Sequence, residues 1–192
     1  MKRTTSISEI FRPLKDAPVQ SALSNAVQIA DILEWVLEQV GTSEVWQTSF
    51  SISEEFLRRL YFITRDGSAS AIHLVLDFKA TNKTLSLWTF IEQVISSTHL
   101  ADNHSKVLLI QAQSGTKVSI ITSQNLTRGN RNESYIITTD DAVFDKFKEE
   151  LSIISFYTKF HSTLSPPKRV NRPPFYLLPK NNPSSRQSLA HG

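Results

Sequence analysis

The chain has 192 residues, 40% hydrophobic and 20% charged, with a formal net charge of +3. That is room for one domain of ordinary globular composition, able to bury a core without covalent staples. It has no cysteine, which excludes a disulfide scaffold, a thiolate metal site and a Cys nucleophile and suits a reducing, cytoplasmic setting. No run of about 20 uncharged apolar residues calls for a membrane span. The basic start Met1-Lys2-Arg3-Thr4 is not followed by the apolar run of a secretory signal.

The charge is uneven. Residues 161–192 carry Lys168, Arg169, Arg172, Lys180 and Arg186 with no Asp or Glu, and six of the eight prolines. The rest of the chain is slightly acidic. Three parts are expected: an irregular segment 1–18, a folded domain 19–160, and a Pro-rich basic tail 161–192. A compact helix or sheet is not expected in the tail. It reads either as a solvated extension or as a basic arm for a polyanion. Its apolar patch Phe175-Tyr176-Leu177-Leu178 is suited to docking on the body or on a second protomer.

In chain order, Pro13 and Pro18 break the first segment. Ser24 to Val40 reads as a helix, with Ala26, Ile29, Ala30, Leu33, Val36, Leu37 and Val40 at helical spacing and Gly41 as the stop. Glu44 to Ile52 alternates as a strand. Ser53-Glu54-Glu55-Phe56 opens a helix through about Thr64, which Asp66-Gly67 ends. Ala71 to Lys79 reads as a buried strand, and Thr84 to Leu100 as a helix. Lys106–Gln113 and Lys117–Thr122 are strands. Gly115 between them predicts a two-residue type II′ hairpin. Ser134–Thr138 is a further strand, and Asp140-Asp141 starts a helix with Val143, Phe144, Phe147, Leu151 and Ile154 on its apolar face. The fold class is α/β, a mixed sheet with helices on both faces.

The two-residue loop would place Lys106 opposite Asn125 and His104 opposite Thr127 on one face of the sheet. An imidazole, an ammonium and a carboxamide would then converge. Such a set suits a phosphate: Lys supplies charge, Asn supplies amide donors, and His serves as nucleophile or acid–base group. Glu133, at the head of the next strand, is placed to accept a hydrogen bond from the His ring. The same residue types also occur as ordinary surface chemistry, and spacing alone does not separate the two.

These residues resemble a known family. His104-Ser105-Lys106, then Thr122-Ser123-Gln124-Asn125-Leu126-Thr127, then Asn132-Glu133, are similar to the H-x-K … G-S-x-N-L-T … N-x-E signature of the phospholipase D superfamily. The resemblance spans about residues 20–160, and by size it is to the short endonucleases with a single motif. It implies metal-independent phosphodiester hydrolysis in two steps, with no cofactor. His104 would attack phosphorus and form a phosphohistidine. Lys106 and Asn125 would hold the phosphoryl oxygens, Glu133 would orient the ring, and Ser123 would add a hydrogen bond. A second H-x-K is absent, so the resemblance implies a homodimer in which two copies of His104 face each other. Two positions depart from the pattern: Gln111 stands where it has Asp, and Thr122 where it has Gly.

Nucleic acid is the expected substrate. Arg128 and Arg131, in the loop after Asn125, are candidate phosphate-backbone contacts, with Thr127 beside them, and the basic tail adds cations. The alternatives are a nucleic-acid-binding module of the same fold with impaired catalysis, and a lipid phosphodiesterase. Other polar residues read as structural. His73 suits a core or interface, His99 a helix C-terminus, and Asp77 a strand end. His161 has no partner in sequence. Glu54-Glu55 and Asp140-Asp141 suit helix caps, and Trp35, Trp46 and Trp88 the core. No His, Asp or Glu pattern has metal-ligand spacing.

Overall fold

The computed structural model describes residues 6–80 and 85–162, and for residues 80, 85 and 155–162 the backbone only. The tail apart from residues 161 and 162, and with it the apolar patch and its cations, lies outside the described residues.

Among the described residues, seven strands form one sheet: β1 (Val19–Ser24), β2 (Ser43–Ser49), β3 (Ala69–Asp77), β4 (Ser97–Ala101), β5 (Val107–Ala112), β6 (Lys117–Thr122) and β7 (Glu133–Thr138). Their order across the sheet is β1-β7-β6-β5-β2-β3-β4. β2, β3 and β4 run parallel, while β5, β6, β7 and β1 alternate antiparallel. Among the described residues, four α-helices accompany the sheet: α1 (Ile29–Val40), α2 (Glu54–Arg65), α3 (Trp88–Val94) and α4 (Asp141–Ser162).

The helices divide between the two faces. Ile32, Leu33 and Val36 of α1, Leu57 and Leu60 of α2, and Ile91 of α3 are fully buried with Val45, Ile72, Leu74, Leu108 and Ile110 of the sheet. Removing one such side chain from water contributes about 1.5–3 kcal/mol, so this layer dominates the stability. On the opposite face Phe144 and Leu151 of α4 pack on Val75, Val107 and Leu109. The alternation along β2 and β5 produces this division, because successive side chains point to opposite faces.

Local chemistry fixes the helix starts. Ser53 Oγ accepts the Phe56 N–H at 3.3 Å, capping α2. Asp140 Oδ1 takes the N–H groups of Ala142 and Val143 at 2.8 and 3.1 Å, capping α4. Arg59 of α2 pairs with Asp31 and Glu34 of α1, tying the two helices together.

Three expectations are corrected. The first helix begins at Ile29 rather than Ser24, because residues 19–24 form the edge strand β1 against β7. The helix expected over residues 84–100 ends at Val94, and residues 97–101 form β4, parallel to β3. Ser96 exchanges hydrogen bonds with the backbone of Ile72, which turns the chain into that strand. The third correction concerns the hairpin. Ala112 N–H bonds Thr116, and Gly115 N–H bonds Ala112, enclosing a loop of Gln113, Ser114 and Gly115 with Gly115 at φ 93°. A turn followed by a left-handed glycine is the usual three-residue solution. It shifts the register so that Val107 faces Ile121, and Thr122 rather than Asn125 bonds the Lys106 carbonyl, at 3.1 Å.

Candidate functional site

β2 and β3 end, and β5 and β7 begin, at the same end of the sheet. The H-x-K segment lies there, between β4 and β5, and a network of buried polar groups fixes its path. Asp77, 2% exposed, closes β3. One carboxylate oxygen takes the Lys79 N–H at 2.7 Å and the other the Asn103 N–H at 3.0 Å. Asn103 is also buried, and its side chain reaches the Ser49 and Ser105 carbonyls. Thr48 Oγ1 accepts from Ser105 Oγ at 2.8 Å and from Val107 N at 3.0 Å. The residues on either side of His104 are thus held, while His104 is exposed.

Lys106 Nζ lies 3.4 Å from His104 Nδ1 and donates to the His104 carbonyl at 2.8 Å. The imidazole leans on Phe50, with ring centroids 5.5 Å apart. Phe50 also links the ring to Asn125. Asn125 Oδ1 accepts from the Phe50 N–H and from Ser49 Oγ, both at 3.2 Å. That orientation leaves the Asn125 Nδ2 donors with no partner among the described residues. Asn125 therefore comes to the site by a route other than the expected register. The chain leaves β6 at Thr122, and Leu126 bridges to Ile52 beyond the end of β2. Leu126 N donates to Ser49 Oγ at 3.0 Å, and Ser53 N to the Leu126 carbonyl at 2.9 Å.

Glu133 binds Ser123 Oγ, whose oxygen also accepts the Ser134 N–H at 3.0 Å. The single proton of Ser123 is directed at Glu133, so Ser123 links that carboxylate to the strand. Among the described residues no carboxylate meets the ring of His104. Thr127 and Arg128 turn the other way, towards the N-terminal ends of α1 and α2. Arg128 lies 3.3 Å from Glu55. Arg131 is exposed and has no ion pair among the described residues. The structure therefore brings His104 and Asn125 to Phe50 with Lys106 against His104, sets Ser123 after β6 and Glu133 at the start of β7 at the same end of the sheet, and draws Thr127 and Arg128 aside.

Sequence reasoning missed Phe50 and Asn103, and treated Asp77 only as a strand-end acid. It also missed Gln124, 2% exposed. Gln124 Oε1 takes the Ile29 N–H at the start of α1 at 2.7 Å and the Tyr135 hydroxyl at 3.1 Å. Its Nε2 donates to Gln28 Oε1 at 2.8 Å, and Gln28 in turn bonds both backbone groups of Gly129. These bonds fix the loop that carries Asn125. The amide residues 124 and 125 stand side by side in sequence, one facing in and one facing out. The departures from the motif fall unequally. Gln111 pairs with Glu44 and Lys117 near the far end of β5, away from His104. Thr122 Oγ1 accepts the Gln124 N–H at 3.0 Å and supports the loop.

A cavity of about 470 Å³ opens elsewhere, beside α4, among Trp46, His73, Ser97, His99, Lys148 and Ser152. Its groups are largely engaged with one another. His73 lies 2.7 Å from both Glu44 and Ser97 and stacks on Trp46. Lys148 covers the Trp46 face, and burial pushes its ammonium down to about 8. Among the described residues, no three His, Asp or Glu side chains are grouped to hold a metal ion, and no helix is long and apolar enough to cross a membrane.

No protein-family model and no curated protein matches the sequence. Solved structures do match. Nuc from Salmonella typhimurium, a phospholipase D family member, aligns with TM-score 0.53 and 14% identity over 73% of this chain and 94% of that one. NucT from Helicobacter pylori aligns with TM-score 0.52 and 13% identity over 73% of this chain and 97% of that one. At these identities the likeness is one of architecture, and it agrees with the mixed sheet and the helices on both faces: the chain has the phospholipase D fold.

Proposed function

We propose that this protein is a phosphodiesterase, an endonuclease acting on nucleic acid through a phosphohistidine in a site that two protomers share. The observation that carries the reading is the joint presentation of His104, Lys106 and the unpartnered Asn125 amide at the open end of the sheet. In this reading Lys106 and Asn125 Nδ2 bind the non-bridging oxygens. His104 Nε2 attacks phosphorus, the N–P bond forms, and the P–O bond to the leaving strand breaks. A second imidazole gives the leaving oxygen its proton. It then removes a proton from the water that displaces His104.

The lone protomer supports the shared site by what it lacks. Lys106, a donor only, faces Nδ1 of His104 at 3.4 Å. Among the described residues no acceptor fixes the ring tautomer, and the sequence has no second H-x-K to supply the acid. A second copy related by a two-fold axis would bring another His104. The residues present need no metal in this scheme, and the cysteine-free composition suits a cytoplasmic site of action.

The placement of Gln111 far from His104 favours an active enzyme over the binding module. The test is cleavage of labelled DNA and RNA in excess EDTA, with His104→Ala alongside. Wild-type cleavage that persists in EDTA and falls by at least about 10³-fold in the variant is expected. Equal cleavage by the variant would overturn the reading. Release of a head group from phospholipid vesicles, with none from nucleic acid, would turn it to the lipid phosphodiesterase.

A further inference from the structure

We infer that Phe50 is a positioning residue, whose ring holds the His104 imidazole in the orientation from which Nε2 attacks phosphorus. This rests on the phosphodiesterase reading, which supplies the attack, and adds what keeps an exposed nucleophile aimed.

Phe50 follows β2 directly, yet its ring belongs to neither buried cluster of the core. It is set instead on the His104 imidazole, with ring centroids 5.5 Å apart and planes inclined at 55°. His104 is exposed. An exposed imidazole turns about two side-chain bonds unless its neighbours restrict it, and ordering it costs entropy. Two side chains are placed against this one: Lys106, with Nζ 3.4 Å from Nδ1, and Phe50.

Lys106 cannot hold the ring through the reaction. Its ammonium only donates, so it meets Nδ1 only while that nitrogen carries a lone pair. The proton of a neutral ring then sits on Nε2, the wrong tautomer for attack. When Nε2 supplies the electron pair, Nδ1 carries the proton and turns the ammonium away, towards the phosphate oxygens that Lys106 binds in this reading. Phe50 has no proton to match. Its ring packs on the neutral imidazole and also attracts the positive charge that the imidazole takes when the N–P bond forms. The Phe50 contact therefore persists across the step that breaks the Lys106 contact.

The backbone of the same residue serves the other half of the site. Phe50 N–H donates to Asn125 Oδ1 at 3.2 Å, so one residue registers the imidazole and the carboxamide to each other. A side-chain substitution at Phe50 removes the ring and keeps that backbone bond, which separates the two roles. Phe62, an exposed ring under Arg65 towards the C-terminal end of α2, serves as the control.

The test measures kcat and KM in EDTA on labelled DNA or RNA, whichever the wild type cleaves faster, for Phe50→Leu, Phe50→Tyr and Phe62→Leu. The His104 ring-proton resonances, identified by their loss in His104→Ala, are recorded by NMR for each. Phe50→Leu is expected to lower kcat about tenfold or more, with KM within about twofold of wild type, and to move the His104 resonances. Phe50→Tyr should restore both, and Phe62→Leu should change neither. A wild-type kcat in Phe50→Leu, where the wild type cleaves and His104→Ala does not, would overturn the positioning role and leave the phosphodiesterase reading intact. A raised KM with kcat unchanged would also overturn it, by giving the ring to the substrate rather than to the imidazole. Unmoved His104 resonances in a Phe50→Leu protein that melts as wild type would overturn it too. A wild type that cleaves nothing would remove the phosphodiesterase reading and the positioning role with it.

Discussion

The two ends of the sheet are built differently. At one end the chain turns tightly on glycines, and backbone bonds hold the turns. Gly41, Gly67 and Gly115 have φ of 82°, 78° and 93°, and nothing lies within 4 Å of where a Cβ would stand. At the other end β2, β3 and β6 run out into longer segments held by side chains: Ser49, Asp77, Asn103, Gln124 and Ser123. The first end closes the fold with the least chain. The second uses buried polar groups to hold the exposed His104 and the partly buried Lys106 in fixed places. Buried polar groups are costly unless fully satisfied, so their concentration at one end marks where position matters.

Gln124→Ala should break this arrangement most severely. It strands the Ile29 N–H and loosens the loop that carries Asn125. A stability loss of about 2–3 kcal/mol is expected from the buried orphan and the cavity, with cleavage reduced as well; urea unfolding and a cleavage assay measure both. Gly115→Ala should cost about 1–2 kcal/mol through backbone strain alone, since the added methyl meets no atom. Cleavage by the folded variant should match the wild type. A change in cleavage rate there would show that the two ends are coupled. Ser53→Ala removes the α2 cap at the site end and should cost about 1 kcal/mol. Its effect on cleavage should be slight, because Leu126 is held to Ser53 also by a backbone bond.

The central strands were legible and the edges were not. β2, β3, β5, β6 and β7 show apolar runs or alternation because at least one face of each is buried. β1 and β4 are the two edge strands. β1 exposes Val19 and Leu23, and all of β4 is only partly buried. With little burial to write a pattern, residues 24–28 were absorbed into the first helix and residues 95–100 into the third. The residue types of the site were legible in the H-x-K segment and the Ser-x-Asn-Leu-Thr run, but the geometry was not. The hairpin loop falls at residues 113–115 rather than 115–116, which moves the pairing by three residues and puts Thr122 rather than Asn125 opposite Lys106. Asn125 arrives because the chain leaves β6 and joins the end of β2, a tertiary contact that no local pattern records. Phe50 was read as one apolar position in an alternating strand, and only the fold sets its ring against His104.

Lys148 belongs to neither end, and it asks whether ionisable groups away from the H-x-K segment matter to function. Burial holds its ammonium at about 8, below the ordinary lysine value of 10.5. The unfolded chain keeps that proton to higher pH than the folded one. Stability should therefore rise with pH from about 8 to about 10.5 and be level in this respect below 8. The rise should be small, because the side chain is only partly buried and its cation also lies on the Trp46 face. Lys148→Met should remove the rise, read as melting temperature across that pH range, and leave cleavage unchanged at neutral pH. A fall in cleavage would place part of the chemistry in the cavity beside α4 and end the division between a closing end and a working end of the sheet.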